Sequence, residues 1–175
     1  MMVTTLNVTG KSVDNTQRKL AQEMLAAIQN WQHWDEIGLV VAKEYDVTSK
    51  DFAIALPEYQ KFLCLAAMGY EGLGMYSNRV AMLWCAHILS TTLYADFCAS
   101  VVGKFVHHSP NTVTIKNEEV PCKICQVCSI RCNVCQSDGM YGKGSKETFV
   151  AAYQAIFGPI SPIWEELSEP DAMTC

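Results

Sequence analysis

At 175 residues, half of them hydrophobic, the chain is long enough for one domain that buries its core without disulfide bridges. Its 13 basic and 18 acidic residues give a formal charge of -5 and include no basic block, which argues against nucleic acid as a partner. The N-terminus lacks the apolar core of a signal peptide and no apolar run approaches the roughly 20 residues that cross a bilayer, so we expect a cytoplasmic protein without a membrane partner.

The hydrophobic pattern divides the chain into a helical core and an insert. Residues 1–14 show no sustained period and are predicted to form an N-terminal arm. Residues 15–110 form the helical core, residues 111–144 a Cys-rich insert, and residues 145–167 a closing helix with a Trp anchor in the same domain, before a tail at 168–175. We therefore expect a mainly α protein, a single helical-bundle domain of about five helices with a Cys-rich loop or short β-hairpin as its insert.

Three helices are predicted over about residues 15–31, 35–45 and 49–68, before a glycine-rich loop at residues 69–78. The apolar stripe of the first helix consists of Leu20, Met24, Ala27, Ile28 and Trp31. Pro57 lies inside the third helix, where it removes one backbone hydrogen bond and crowds a carbonyl. We expect a kink or two abutting helices at this point.

A longer helical pattern runs from Arg79 to about Val102, and Gly103 is its expected stop. Its apolar stripe includes Val80, Leu83, Trp84, His87, Ile88, Thr91, Tyr94, Ala95, Cys98 and Val102. Ser90 and the two threonines after it are poor residues for a helix interior, so a bend is expected there. After the insert, a last helix buries an apolar face that ends at Phe157, and Gly158 terminates it.

The insert combines residues that favour strands with most of the cysteines. The segment 112–115 favours a strand, and the polar residues 116–119 can turn it back into a short hairpin. Five of the nine cysteines follow within fourteen residues, at Cys122, Cys125, Cys128, Cys132 and Cys135. In the reducing cytoplasm, such close spacing favours a metal site over disulfide bonds.

Two groupings of these cysteines suit a metal. The two Cys-x-x-Cys pairs, which leave Cys128 spare, can place four thiolates about 2.3 Å from one zinc ion, although the loop between them is short for a zinc ribbon. The first four cysteines have the spacing of a bacterial ferredoxin run, but Asn133 stands where that run has proline. We expect zinc, with an iron–sulfur cluster as the alternative cofactor. A redox-active Cys-x-x-Cys pair and simple disulfides are the other interpretations.

Four side chains are candidates for a polar pocket in the helical core: His87, Cys98, His108 and Tyr94. Cys85 and His87 are two positions apart, so on a regular helix they point to opposite sides and cannot bind one ion. A histidine on an apolar stripe is usually a buried one whose nitrogens are satisfied by hydrogen bonds. After the turn at Gly103, His107 and His108 can approach it and supply a second imidazole or a partner for a polar pocket. Arg79 and Asp96 can join such a pocket, although each is ordinarily a solvated surface ion.

A scattered pattern of residues carries a family resemblance. It consists of Phe62-Leu63, Trp84-Cys85-Ala86-His87-Ile88-Leu89, Tyr94, Cys98, Gly103, His108 and Pro110, followed by residues 149–164. Over roughly residues 59–110 and 149–164, the chain resembles the glycine-rich domain-containing protein family, a helical domain of unknown function with a Trp-His-x-His-x-Leu motif. Cys85 stands where that family has its first histidine, and Arg79 stands near an expected acidic residue. The resemblance implies a helical fold and little chemistry.

The predicted function is a metal-binding accessory or interaction protein with an unidentified protein partner. Metal binding would supply the free energy that orders the insert, whose few apolar residues cannot offset its entropy. One alternative is a small enzyme around His87, Cys98 and His108, with histidine as acid or base and Cys98 as nucleophile. The sequence contains no nucleophile motif, phosphate loop or paired carboxylates in support of it. The other alternative is a structural or assembly subunit with a disulfide-stapled loop.

Overall fold

The computed structural model describes residues 14–107 and 146–165. Its elements are α1 (Asn15–Gln29), α2 (Trp34–Tyr45), α3 (Ser49–Ala67), α4 (Asn78–Leu89), α5 (Thr91–Phe97), a π-helix (Cys98–Val102), α6 (Lys146–Phe157) and a 3-10 helix (Pro162–Trp164). These two ranges contain no β-strand, and the predicted mainly helical bundle is confirmed. The hairpin predicted around residues 112–120 lies outside the described residues.

Short polar side chains begin three of the helices. The Asp14 carboxylate at α1, the Thr48 hydroxyl at α3 and the Ser77 hydroxyl at α4 each accept the backbone N–H three residues later, at 2.8, 3.1 and 3.5 Å. Such caps satisfy one of the four N–H groups that the first turn of a helix leaves without a partner.

Helix α3 lies at the centre of the bundle. It packs against α1 and α4, with α2 and α6 also in contact with it. Its second half is buried on several sides, with Tyr59, Phe62, Leu63, Cys64 and Leu65 all shielded from solvent. A helix surrounded in this way is held by packing more than by its own hydrogen bonds. It therefore continues through Pro57 as one helix, and the predicted alternative of two abutting helices does not occur.

The buried face of α1 agrees with the predicted stripe at Ile28 and Trp31 and differs from it at Leu20 and Ala21. Leu20 is 54% exposed, whereas Ala21 and Ile28, two helical turns apart, are buried against the core. The thiol of Cys64 on α3 donates to the Ala21 carbonyl oxygen, with sulfur and oxygen 3.4 Å apart. This close approach of the two helices selects the small side chain of Ala21 as the contact, and the larger Leu20 turns outward.

The predicted bend after α4 is present at Ser90. Helix α4 and the segment formed by α5 and the π-helix are bent by 98°. The Ser90 hydroxyl donates to the Ala86 carbonyl at 2.8 Å, which closes the last turn of α4. Gly103, with φ of 75°, ends the π-helix in the left-handed region that favours glycine. Among the described helices, none alone is long and apolar enough to cross a membrane; this bent pair meets the length and composition criteria only when its two parts are taken together.

The closing segment packs on α3. Gly158, with φ of 88°, ends α6. Trp164 on the 3-10 helix is buried, and its ring centroid lies 4.4 Å from that of Phe149 and 6.3 Å from that of Phe62. These contacts place α6 and the 3-10 helix on the same hydrophobic core as α3 and α4.

Candidate functional site

The whole of the predicted metal site lies outside the part of the chain that the structure describes. This applies to the five cysteines Cys122, Cys125, Cys128, Cys132 and Cys135, and to His108 of the polar pocket. Within residues 14–107 and 146–165, no group of three or more His, Cys, Asp and Glu side chains is placed to hold a metal ion. The candidate site that can be described in atomic detail is the surroundings of His87.

Five aromatic rings surround the imidazole of His87. Their centroids lie 4.9 to 5.9 Å from that of the imidazole, and they belong to Trp31, Trp34, Tyr59, Tyr94 and Phe97. Trp31 lies in the α1–α2 connection, and Trp34 is the first residue of α2. Tyr59 comes from α3, and the last two rings come from α5, which the bend at Ser90 folds back onto α4. Most of these rings meet the imidazole edge to face, an arrangement that aromatic quadrupoles favour. We call this arrangement the aromatic cage.

The imidazole has one polar partner within the aromatic cage. The Tyr59 hydroxyl lies 2.9 Å from His87 Nδ1, and both side chains are fully shielded from solvent. His87 Nε2 has no hydrogen-bond partner among the described residues. We expected hydrogen-bond partners at both imidazole nitrogens, but the described residues provide a partner only for Nδ1. A buried polar atom without a partner costs about 1–3 kcal/mol.

Burial keeps both members of this pair neutral. Desolvation lowers the pKa of His87 to about 3, because the charged imidazolium would lose its hydration in the aromatic cage. Desolvation also raises the pKa of Tyr59, since a phenolate would be equally unfavourable there. At neutral pH the two groups therefore share one hydrogen bond between uncharged partners. The tautomer of His87 decides which of them donates.

Tyr94 and Cys98 lie at the edge of the aromatic cage. The Tyr94 hydroxyl donates to the Val106 carbonyl oxygen, and the free, buried Cys98 thiol lies beside that hydroxyl. Desolvation raises the pKa of the Cys98 thiol, so it stays protonated and is a poor nucleophile. The structure thus brings together His87, Tyr94 and Cys98 of the predicted pocket.

The geometry does not favour catalysis at His87. A general acid or base must reach the proton that it transfers, directly or through one water molecule. In the described part of the structure, His87 and Tyr59 have no exposed surface, and Cys98 is 2% exposed. The arrangement is that of a packed polar contact inside the core.

Two charged residues considered for the pocket have other partners. Arg79 forms a surface ion pair with Asp51, with nitrogen and oxygen 3.5 Å apart. The Asp96 carboxylate accepts the indole N–H of Trp31 at 3.0 Å. Asp96 therefore orients one ring of the aromatic cage from outside.

A second buried polar cluster, which was not predicted from the sequence, is centred on Glu58. One carboxylate oxygen accepts from the Lys61 ammonium at 2.9 Å, and the other accepts from the Tyr153 hydroxyl and the Trp164 indole N–H, both at 2.8 Å. Lys61 also donates to the Tyr153 hydroxyl at 2.9 Å. We call these four side chains the Glu58 cluster. A buried carboxylate supplied with this many donors fixes α6 and the 3-10 helix to α3.

Cys85 on α4 is buried and disulfide-bonded. The other two cysteines in the described ranges, Cys64 and Cys98, are free. The bond at Cys85 departs from the expectation that the thiols stay reduced, and a disulfide at this position was not predicted.

The fold and site describe a helical bundle with a buried imidazole and a segment of closely spaced cysteines. The chain belongs to the UCP032817-like family, whose model matches residues 23–139. That match extends from α1 through the five cysteines at 122–135. No curated protein and no solved structure matches the chain.

The resemblance to the glycine-rich domain-containing family is wrong, because the family match is to a different family. Its anchors include Phe62, Trp84 and Tyr94, which lie in the hydrophobic core. Large aromatic residues at helical spacing recur in helical bundles because they fill the space between helices. Scattered agreement at such positions therefore reflects shared packing requirements and does not define a family.

Proposed function

We propose that the protein is a metal-binding accessory or interaction protein, whose helical core carries a thiolate site for zinc. The proposed ligands are Cys122, Cys125, Cys132 and Cys135. One observation carries the proposal: five cysteines at metal-ligand spacing stand between two points of the chain that the helical core fixes. An iron–sulfur cluster bound by the first four cysteines is the alternative cofactor.

The described residues on both flanks support this proposal. Before the segment, the Tyr94 hydroxyl binds the Val106 carbonyl oxygen, and the rings of Phe105 and His107 lie 4.9 Å apart. After it, α6 begins at Lys146 and is fixed by the Glu58 cluster through Tyr153. With both ends held, a metal has to organise only the residues between them, which limits the entropy that its binding free energy must offset.

The expected chemistry is structural. Four thiolates complete the tetrahedral coordination of zinc and leave no open position for a substrate. Such a site contributes folding free energy to its own segment and presents an ordered surface to a protein partner. This role agrees with the fully shielded surroundings of His87, where a substrate has no access in the described structure.

Metal content of the purified protein tests the proposal. The protein is prepared without a histidine tag and analysed by inductively coupled plasma mass spectrometry, together with its absorption spectrum under anaerobic conditions. We expect about one equivalent of zinc per chain and no colour; absorption near 400 nm with iron and sulfide would indicate a cluster. Less than half an equivalent of any transition metal would overturn the proposal.

Variants locate the site. Replacing Cys125 and Cys132 together with serine is expected to release the metal, because each Cys-x-x-Cys pair then loses one thiolate. The matched control is Cys175→Ser, which removes a cysteine outside both pairs and should leave the metal content unchanged. Far-ultraviolet circular dichroism checks that the helices remain in both proteins.

The second candidate function is a structural or assembly subunit stapled by disulfide bonds. It is favoured by the disulfide bond of Cys85. Alkylation of the native protein without reductant, followed by mass spectrometry, separates the two functions. Cysteines 122, 125, 132 and 135 joined in pairs would support the staple, whereas thiols that become reactive after chelation support the metal.

A further inference from the structure

Two sulfur atoms lie side by side near the end of α3. Cys64 and Met68 are four residues apart, so their side chains share one face of the helix, and Cys64 Sγ lies 4.0 Å from Met68 Sδ. Cys64 is fully buried, and its free thiol donates to the Ala21 carbonyl oxygen. Met68 is half-buried and packs against the core. The pair therefore has one buried sulfur and one that is closer to solvent.

The turn that ends α3 brings a hydroxyl group to this pair. Gly69, with φ of 85°, reverses the chain, and the backbone N–H of Tyr70 donates to the Leu65 carbonyl oxygen at 3.1 Å. This Schellman arrangement folds the residue after the glycine back onto the last turns of the helix. The Tyr70 hydroxyl is shielded from solvent and has no hydrogen-bond partner among the described residues. Desolvation raises the pKa of Tyr70 and the Cys64 thiol raises it further, so this thiol is one of its neighbours.

We propose that Cys64 and Met68 bind a soft monovalent metal ion, copper(I), inside the helical core. For two sulfurs that are 4.0 Å apart, an ion about 2.3 Å from each, the usual length of a metal–thiolate bond, makes an angle of about 120° with them. This angle is that of a trigonal site. A thiolate with a thioether is also a ligand set that selects copper(I) over harder ions. The observed separation of the two sulfurs therefore already suits the ion.

The charge of the site selects the ion and gives a role to Tyr70. An unpaired charge is costly at a fully buried position such as Cys64. One thiolate and one copper(I) ion together have no net charge, whereas a divalent ion such as zinc would leave one positive charge in the core. The Tyr70 hydroxyl, which has no partner among the described residues, can donate to the thiolate sulfur. Hydrogen bonds of this kind to a metal ligand strengthen metal binding.

The ion is delivered by ligand exchange from a copper(I) complex of a small thiol. The half-buried thioether of Met68 is the ligand that the incoming ion reaches first. The Cys64 sulfur then replaces the small thiolate on copper, and the Cys64 proton passes to the departing thiolate. One S–H bond breaks and another forms, and copper stays in the same oxidation state. The exchange needs no oxidant or reductant.

Nuclear magnetic resonance of the full chain with isotope-labelled methionine methyl groups tests the inference. The protein is incubated with zinc and then titrated with copper(I) glutathione under anaerobic conditions. We expect copper to shift the Met68 methyl signal, which Met68→Leu identifies. In Cys64→Ala the signal should no longer respond, whereas Cys98→Ser, which removes the other free buried thiol, should keep the response. Copper bound without a shift of the Met68 signal would overturn the inference, because the cysteines outside the core would then hold all of it.

Competition with the copper(I) chelator bicinchoninate, followed through the same signal, measures affinity. Tyr70→Phe should weaken copper binding at this site by about tenfold. It should not lower the stability of the copper-free protein, because the hydroxyl has no partner there. Unchanged copper affinity together with lower stability would overturn the role given to the hydroxyl. Circular dichroism checks that each variant retains its helices.

The copper site and the proposed zinc site can fail separately, since they share no ligand. Zinc content measured on the same samples bears only on the proposed function and should be equal in wild type and Cys64→Ala. A response of the Met68 signal to copper in a protein without zinc would support the core site and overturn the zinc site alone.

Discussion

The Tyr59 hydroxyl and His87 Nδ1 lie 2.9 Å apart at a point where neither side chain has any contact with solvent. This contact joins α3 to α4, and the aromatic cage around it adds the segment from Trp31 to Trp34 at the start of α2, together with α5. The imidazole is thus a polar centre on which four parts of the bundle converge. The protonation state of His87 and its contact with Tyr59 should therefore both affect the free energy of unfolding.

The first prediction concerns pH. Because the folded-state pKa of His87 is lowered to about 3 from 6.5, the folded protein holds this histidine neutral while the unfolded chain takes up a proton. The contribution to stability is complete above pH 6.5 and is lost as pH falls from there toward 3. The total loss is on the order of 5 kcal/mol, since the two pKa values differ by about 3.5 units and each unit corresponds to about 1.4 kcal/mol. Roughly 3 kcal/mol of it should be lost between pH 6.5 and 4.5. Urea unfolding at pH 7.0, 5.5 and 4.5 measures it.

The control for this prediction is a pair of histidine variants. His87→Gln should weaken the dependence of stability on pH, although it also lowers stability at pH 7. His33→Gln removes a histidine that is exposed beside Glu36, and it should leave most of the dependence in place. Equal slopes between pH 6.5 and 4.5 in wild type and His87→Gln would contradict the assignment.

The second prediction concerns Tyr59→Phe. This change removes the hydroxyl that His87 Nδ1 contacts and leaves both imidazole nitrogens without a described partner. We expect the free energy of unfolding to fall by about 1–3 kcal/mol, the cost of a buried polar atom without a hydrogen bond. Tyr45→Phe, which deletes the same hydroxyl from a half-buried side chain on α2, should change it by less than about 0.5 kcal/mol. Similar losses in the two variants would show that the hydrogen bond is not the cause.

The third prediction concerns Glu58→Gln. The amide keeps the size of the side chain but removes the charge that three donors share. We expect the free energy of unfolding to fall by about 2 kcal/mol, which is typical of hydrogen bonds to a charged group. Lys61 should contribute less to this loss than a fully buried donor would, because its side chain is 28% exposed. Amide hydrogen exchange in α6 should accelerate, since the Glu58 cluster fixes that helix to α3.

Two further variants test whether the charge of Glu58 is the cause of this loss of stability. Glu23→Gln disrupts an exposed pair with Lys19 and should cost less than 1 kcal/mol. Adding Lys61→Met to Glu58→Gln should cost less than the sum of the single changes, because the ammonium no longer lies beside a neutral amide. Strict additivity would show that the two side chains act independently.

The helical fold was predictable because periodicity records which side of a helix is buried. The stripe around His87 and the weak helix-forming residues at Ser90 located α4, its bend and α5. On α1, Ile28 and Trp31 were predicted correctly, but Leu20 was wrongly assigned to the buried face. Periodicity cannot show that α1 and α3 approach at Ala21, where the Cys64 thiol donates to the carbonyl oxygen. A contact between backbone and thiol leaves no pattern in the spacing of apolar residues.

The buried polar groups were harder to predict, because their partners are distant in the sequence. Glu58 and Lys61 look like an ordinary surface pair on one helix, and Tyr153 and Trp164, about a hundred positions later, look like core residues. Tyr59 lies in the helix predicted over residues 49–68, but its spacing does not show that it is the partner of His87. Helical spacing shows which residues face inward, and only the packing of the helices shows which of them meet.

The last prediction concerns the two free thiols of the core. Burial raises the pKa of Cys64 to about 12 and also raises that of Cys98, so both should react with iodoacetamide only when the core opens. With an unfolding free energy of at least about 5 kcal/mol, alkylation of the native protein at pH 8 should be more than 10³-fold slower than in 6 M urea. Mass spectrometry of the two cysteine peptides over time measures both rates in one experiment. Reaction of Cys98 within minutes, while Cys64 stays protected, would show an open path into the aromatic cage and would restore the case for catalysis at His87.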